Sequence, residues 1–169
     1  MRLAPAAAAL SLALALTASV GFAGPRGPAP RAATLIAEGD AALRSGDTQG
    51  AVDAFEAALA VDPGYTPTLL RLAQAARASD LQGKAIRYYR EALAREPKNL
   101  DALAGEGAAL AEKGALAKAR ERLAEVEKVC GAPACAPAQA LTAAIARGPV
   151  IRVQTAEVVL PEAQPAQAN

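Results

Sequence analysis

The stretch AATLIAEGDAALRSGDTQGAVDAFEAALAVDPGY, residues 32–65, decides the fold. Its first half sets Leu35, Ile36, Ala42 and Leu43 along one helical stripe, then breaks at Ser45-Gly46-Asp47. Gly46 can take the left-handed backbone that ends a helix, and Asp47 or Thr48 can cap the next one. The second half places Ala51, Val52, Phe55, Ala58 and Leu59 at i, i+1, i+4, i+7 and i+8, one face of an amphipathic helix. Pro63 stops that helix and Gly64 helps turn the chain. Small residues at Gly39, Ala51 and Ala58 let the two helices approach, and Phe55 fills the space between them.

The same residue types return at a fixed offset of 34. Leu35, Leu69 and Leu103 form one register, and Gly39, Ala73 and Gly107 a second. Others are Ala42, Ala76 and Leu110; Ala51, Ala85 and Ala119; Phe55, Tyr89 and Leu123; and Ala58, Ala92 and Val126. Pro63 and Pro97 close the first two units, with Gly131 where a third proline would stand. Alanine is so common here that its matches say little; the leucines, the Phe55/Tyr89 pair and the two prolines discriminate. A hairpin too small to bury its own apolar face buries it by stacking on its neighbours. Helices are therefore expected near 32–45, 48–62, 66–79, 82–95, 100–113 and 116–129. A further helix, 136–147, has Leu141, Ala144 and Ile145 on one face and can cover the exposed end of the stack.

This register resembles the tetratricopeptide repeat, a helix–turn–helix unit of 34 residues. The units are 32–65, 66–99 and 100–133, and the fold class implied is all-α: a right-handed αα-solenoid of three hairpins with a C-terminal capping helix. The resemblance implies a non-enzymatic protein–protein interaction scaffold that binds a partner protein or peptide in a concave groove lined by the first helix of each unit. Carried over, the groove positions after Ile36 are Asp40, Leu43 and Arg44 in the first unit and Leu70, Gln74, Arg77 and Ala78 in the second. In the third they are Asp101, Ala104, Ala108 and Glu112. Arg77, with Gln74 one turn before it, is the best candidate to grip a carboxylate or a backbone carbonyl. The alanines of the third unit imply a shallow surface there. The lysine and asparagine set that clamps chaperone tails in some members is not reproduced.

After Met1-Arg2 no charged side chain appears until Arg26, and the run between is mostly alanine and leucine, ending in Gly21-Phe22-Ala23. That is the layout of a secretory signal peptide over 1–23. Residues 24–31 read as a Pro/Gly-rich linker, 32–147 as the repeat domain, and 148–169 as a tail, with Gln164–Asn169 disordered. An uncleaved membrane anchor is the competing reading of 1–23. Pro5, Ser11, Thr17 and Ser19 interrupt its hydrophobicity and favour export, with the bacterial periplasm as the expected compartment. Partners in a secretion, pilus or outer-membrane assembly follow from that compartment.

Charge is balanced overall, 18 Lys and Arg against 17 Asp and Glu, and no basic run points to nucleic acid. It is uneven by unit: 32–65 is acidic, 66–99 is basic, and 100–133 is slightly acidic. Neighbouring units of opposite sign should attract along the stack.

Cys130 and Cys135 are the only cysteines, separated by four residues at the junction with the last helix. In an oxidising compartment a close pair forms a disulfide, here fixing a turn that lacks its proline. A redox-active dithiol normally has two intervening residues, and a metal site needs more ligands than a chain without histidine readily supplies. A thiol-redox accessory role remains the alternative from a different class. No cofactor and no metal is expected: the absence of histidine removes the commonest general base, and no glycine-rich phosphate loop is present. Asp53, Glu121 and Glu125 fall on solvent-facing stripes, and basic residues nearby, such as Lys118 and Arg122, can pair with Glu121 and Glu125.

Overall fold

In a computed structural model the described residues are 26–131 and 135–149. They form seven helices: α1 (Pro30–Ser45), α2 (Thr48–Val61), α3 (Pro67–Ala78), α4 (Gln82–Arg95), α5 (Leu100–Glu112), α6 (Leu116–Cys130) and α7 (Ala136–Arg147). Residues 1–23, expected to be a leader, most of the tail and the middle of the inter-cysteine loop lie outside the described residues.

The boundaries follow from local chemistry. Asp47 caps α2, its Oδ1 accepting the Gly50 N–H at 2.8 Å, and Asn99 caps α5 in the same way through Ala102 N–H at 2.9 Å. Both caps satisfy an amide that the first turn leaves without an intrahelical partner. The turn inside each hairpin needs a left-handed residue at the same register. Gly46 (φ 83°) and Gly114 (φ 88°) supply it in the first and third units, and Asp80 (φ 56°) in the second. Aspartate tolerates this region better than most side chains. α1 begins at Pro30 rather than Ala32, which shortens the expected linker. Proline suits the first helical turn, where its missing N–H would have no partner.

Each hairpin packs its two helices together, and each second helix packs on the first helix of the next unit. α1, α3 and α5 thus lie side by side on one face, and α2, α4 and α6 on the other. One apolar core runs through all three units around Phe55, Leu69, Leu72, Ile86 and Tyr89. A second cluster, Leu103, Ala104, Ala108, Val126, Ala138, Leu141 and Ala144, joins α5 and α6 to α7. Leu141 is fully buried, and a Cβ placed on Gly107 would meet its Cδ2 at 2.6 Å. The glycine register is what lets the cap seat.

Candidate interaction surface

The repeat fixes which side chains leave the core on the α1–α3–α5 face. Residues three or four apart on a helix share a side, so Ile36, Asp40 and Leu43 line up on α1, as Leu70, Gln74 and Arg77 do on α3. Leu43 and Leu70 are half-buried against the main core, and Arg44, Gln74 and Asp101 are exposed.

Two charged pairs stitch this face together across units. Asp40 Oδ1 of α1 lies 3.4 Å from Arg71 Nη1 of α3. Arg77 of α3 grips Glu112 of α5 in a bidentate pair, Nε donating to Oε2 at 3.1 Å and Nη2 to Oε1. Gln82 Nε2 adds a third donor to Glu112 Oε2 at 3.2 Å. The buried Tyr89 phenol lies beside Arg77, and burial raises its pKa. Glu112's hydrogen bonds, outweighing burial, raise the Arg77 pKa further, so Arg77 is always a cation. A guanidinium carries five N–H donors, and Glu112 takes two of them.

The sequence-derived groove residues are therefore not equivalent. Arg77 and Glu112 come together in one pair, and Asp40 is engaged by Arg71. Arg44, Gln74 and Asp101 stand free of any described ion pair. The third unit differs from expectation: Ala104 and Ala108 are buried, because α7 folds over α5 and packs Leu141 and Ala144 into the same cluster. Their small size seats the cap, and they offer no shallow open surface.

The opposite face holds a group that no local sequence pattern marks. Glu106 is fully buried, with Arg90 Nε of α4 2.7 Å from Oε1 and Arg122 Nε of α6 2.8 Å from Oε2. Arg122 also pairs with Glu125 on its own helix. Tyr88 Oη of α4 reaches Glu56 Oε1 of α2 at 3.2 Å. The only signal in the sequence is the change of charge sign between units. Asp40–Arg71, Arg77–Glu112 and Arg90–Glu106 all join an acidic unit to the basic one. Among the described residues no cluster of three acidic, cysteine or histidine side chains could hold a metal, and no helix is long and apolar enough to cross a membrane.

The sequence matches no family model and no curated protein. The backbone does find relatives. The TPR domain of Sgt2 from Aspergillus fumigatus aligns with a TM-score of 0.63 and 25% identity, over 80% of this chain and 98% of that one. This chain has the tetratricopeptide-repeat fold. The TPR2B domain of yeast Sti1, in its pHsp70 complex, aligns at TM-score 0.62 and 19% identity, over 70% and 99% of the two chains. The second TPR domain of human RPAP3, in complex with the HSP70 peptide SGPTIEEVD, does so at 0.62 and 18%, over 72% and 97%. At these identities the likeness lies in the repeat backbone.

Near the last repeat, Cys130 ends α6 and Cys135 precedes α7, their Cα atoms 6.4 Å apart and their sulfurs at bonding distance. That separation lies inside the span a disulfide takes.

Proposed function

We propose that this protein is a non-enzymatic interaction scaffold of the bacterial cell envelope that binds a segment of a partner protein along the α1–α3–α5 face. The observation that carries the reading is the arrangement of that face. Half-buried Leu43 and Leu70 give it an apolar floor, Gln74 is exposed between them and Arg77, and the Arg77–Glu112 pair is already ordered before any ligand arrives. A fixed fork costs little further side-chain entropy on binding. Arg77 has N–H groups left over, so it can donate to a ligand carbonyl without surrendering Glu112. Tetratricopeptide-repeat neighbours captured with chaperone peptides bind segments of this kind, which supports a peptide or protein as the ligand.

Export rests on the leader-like residues 1–23 and on the cysteine pair, which an oxidising compartment would bridge. α7 covers Ala104 and Ala108 of the third unit, leaving the first two units, with Glu112 at their edge, to take the ligand. Partners in a secretion or envelope-assembly system follow from that location.

The experiment is selection of binding peptides from a displayed library on the oxidised mature protein, followed by amide-shift mapping. Shifts centred on residues 40–44, 70–77 and 112, and affinity reduced about tenfold by Arg44→Glu with Gln74→Glu, are expected. Shifts confined to α2, α4 and α6, or affinity indifferent to those exposed substitutions, would overturn the groove. N-terminal sequencing of the mature protein tests cleavage after Ala23.

A further inference from the structure

A cleft of about 700 Å³ opens between the first turns of α4 and α6. Ile86 and Leu110 form its floor, with Leu116 half-buried beside them. Arg90, Lys113 and Lys118 line the rim, and Lys113 and Lys118 make no ion pair with any described residue. Leu81 stands next to it, 45% exposed, in an adjoining hollow that shares Gly83 and Lys113. An apolar floor with a cationic rim calls for an apolar occupant flanked by carboxylates.

The chain itself passes the edge of this cleft. Gly114 lines it, and a Cβ on Gly114 would sit 3.7 Å from the Cβ of Pro149, the last described residue. Beyond Pro149 the sequence continues VIRVQTAEVVLPEAQPAQAN to Asn169. Its one apolar triad, Val158-Val159-Leu160, is bracketed by its only acids, Glu157 and Glu162.

We propose that residues 157–162 dock into the α4–α6 cleft as an intramolecular strap. Val158 to Leu160 cover Ile86, Leu110 and Leu116, and Glu157 and Glu162 meet Lys113 and Lys118. The eight peptide steps from Pro149 to Glu157 reach up to roughly 26 Å, ample for a cleft whose lip lies beside Pro149. A tether of this length holds its end at an effective concentration of about millimolar. A free partner of the same chemistry must compete against that. The strap lies across the second helices of the hairpins, so it leaves the α1–α3–α5 face open and stands or falls independently of the groove.

The test uses the full mature chain, oxidised, by NMR. Backbone order parameters of residues 158–160 near those of the helices, about 0.85, and nuclear Overhauser contacts from Leu160 methyls to Ile86 or Leu116 are expected. Lys113→Glu with Lys118→Glu should lower those order parameters below about 0.6. Adding Glu157→Lys and Glu162→Lys should restore them. Low order parameters in the parent chain, contacts to a different face, or no response to the charge reversal would each overturn the strap.

Discussion

Phe55 packs directly against Gly39: a Cβ at Gly39 would stand 2.5 Å from Phe55 Cε1 and 2.7 Å from Cδ1. The two helices of the first hairpin are spaced by this contact, and both residues are fully or largely buried. A phenyl ring wedged in a core cannot swing aside as the tip of a lysine can. Gly39→Ala is therefore expected to destabilise the protein by about 1–3 kcal/mol through overpacking, although alanine is the better helix former. Gly83→Ala is the control. It lies in α4 with nothing within 4 Å of its Cβ position, so a gain of about 0.5 kcal/mol is expected. Urea unfolding of the two variants beside the parent checks the contrast, and equal effects would sink it.

The same question of context governs Glu106. A fully buried carboxylate is costly unless it is paired, and here Arg90 and Arg122 reach it from two different helices. Glu106→Gln keeps the shape and removes the charge, leaving both arginines beside a weaker acceptor. Because both arginines are partly exposed, the expected loss is about 2 kcal/mol rather than the larger value of a wholly buried triad. Salt separates this from surface electrostatics. The loss should persist in 1 M NaCl, whereas Arg71→Ala, which breaks the exposed 3.4 Å pair with Asp40, should cost under about 0.5 kcal/mol and fade with salt. A Glu106→Gln penalty that vanishes in salt contradicts the buried bridge.

What could be read from the sequence divides along the same line. The helices, their turns and the stacking order rest on local signals such as Gly46, Asp47 and Pro63 and on a period that three units repeat, so they are legible in one chain. Glu106 is not, because it sits between Gly105 and Gly107 on α5 and its burial depends on arginines contributed by α4 and α6. Ala104 and Ala108 mislead for a related reason: alanine is compatible with an open groove and with a seat for another helix, and only the path of α7 decides. Arg77 is legible as a groove residue, but its partner Glu112 lies one repeat and one residue further on, a spacing that the charge alternation between units hints at without specifying.

Asp62 ties the entry of the chain to the second turn. Its carboxylate is 3% exposed, accepting the Ala29 N–H at 2.9 Å and Arg26 Nη2 at 2.6 Å. The Ala29 amide, and then Arg26, hold its pKa below the ordinary carboxylate value. A carboxyl whose folded pKa is depressed stabilises the fold fully above its unfolded value of about 3.9. That contribution is lost as pH falls through the lower folded value. Asp62→Asn should therefore lower the midpoint of thermal unfolding at pH 7, with the gap to the parent closing as pH falls from about 4 toward 2. A gap independent of pH would mean that the carboxylate charge is not what Ala29 and Arg26 recognise.

The cysteine pair offers the sharpest test of the cap. Cys130 ends α6 and Cys135 immediately precedes α7, so a bridge between them closes a loop of only six residues. In the chain-entropy view such a loop contributes about 2 kcal/mol, against nearly 5 for a loop of a hundred residues. Cys130→Ser with Cys135→Ser is expected to lose about that much. Leu141→Ala, which empties the contact between α7 and Gly107, should lose about 2–5 kcal/mol by opening a cavity. If the bridge acts by confining the unfolded chain, the two losses add when combined. If it instead holds α7 in place against α5, losing either loosens the other's contacts, and the combined loss falls short of the sum by more than about 0.5 kcal/mol. The placement of Leu141 within the cap's own buried cluster favours the second outcome. Hydrogen exchange should then show the amides of residues 138–145 opening before those of α3 and α4 in the serine variant. A strictly additive pair with unchanged exchange in α7 would show that the bridge has no role in positioning the cap.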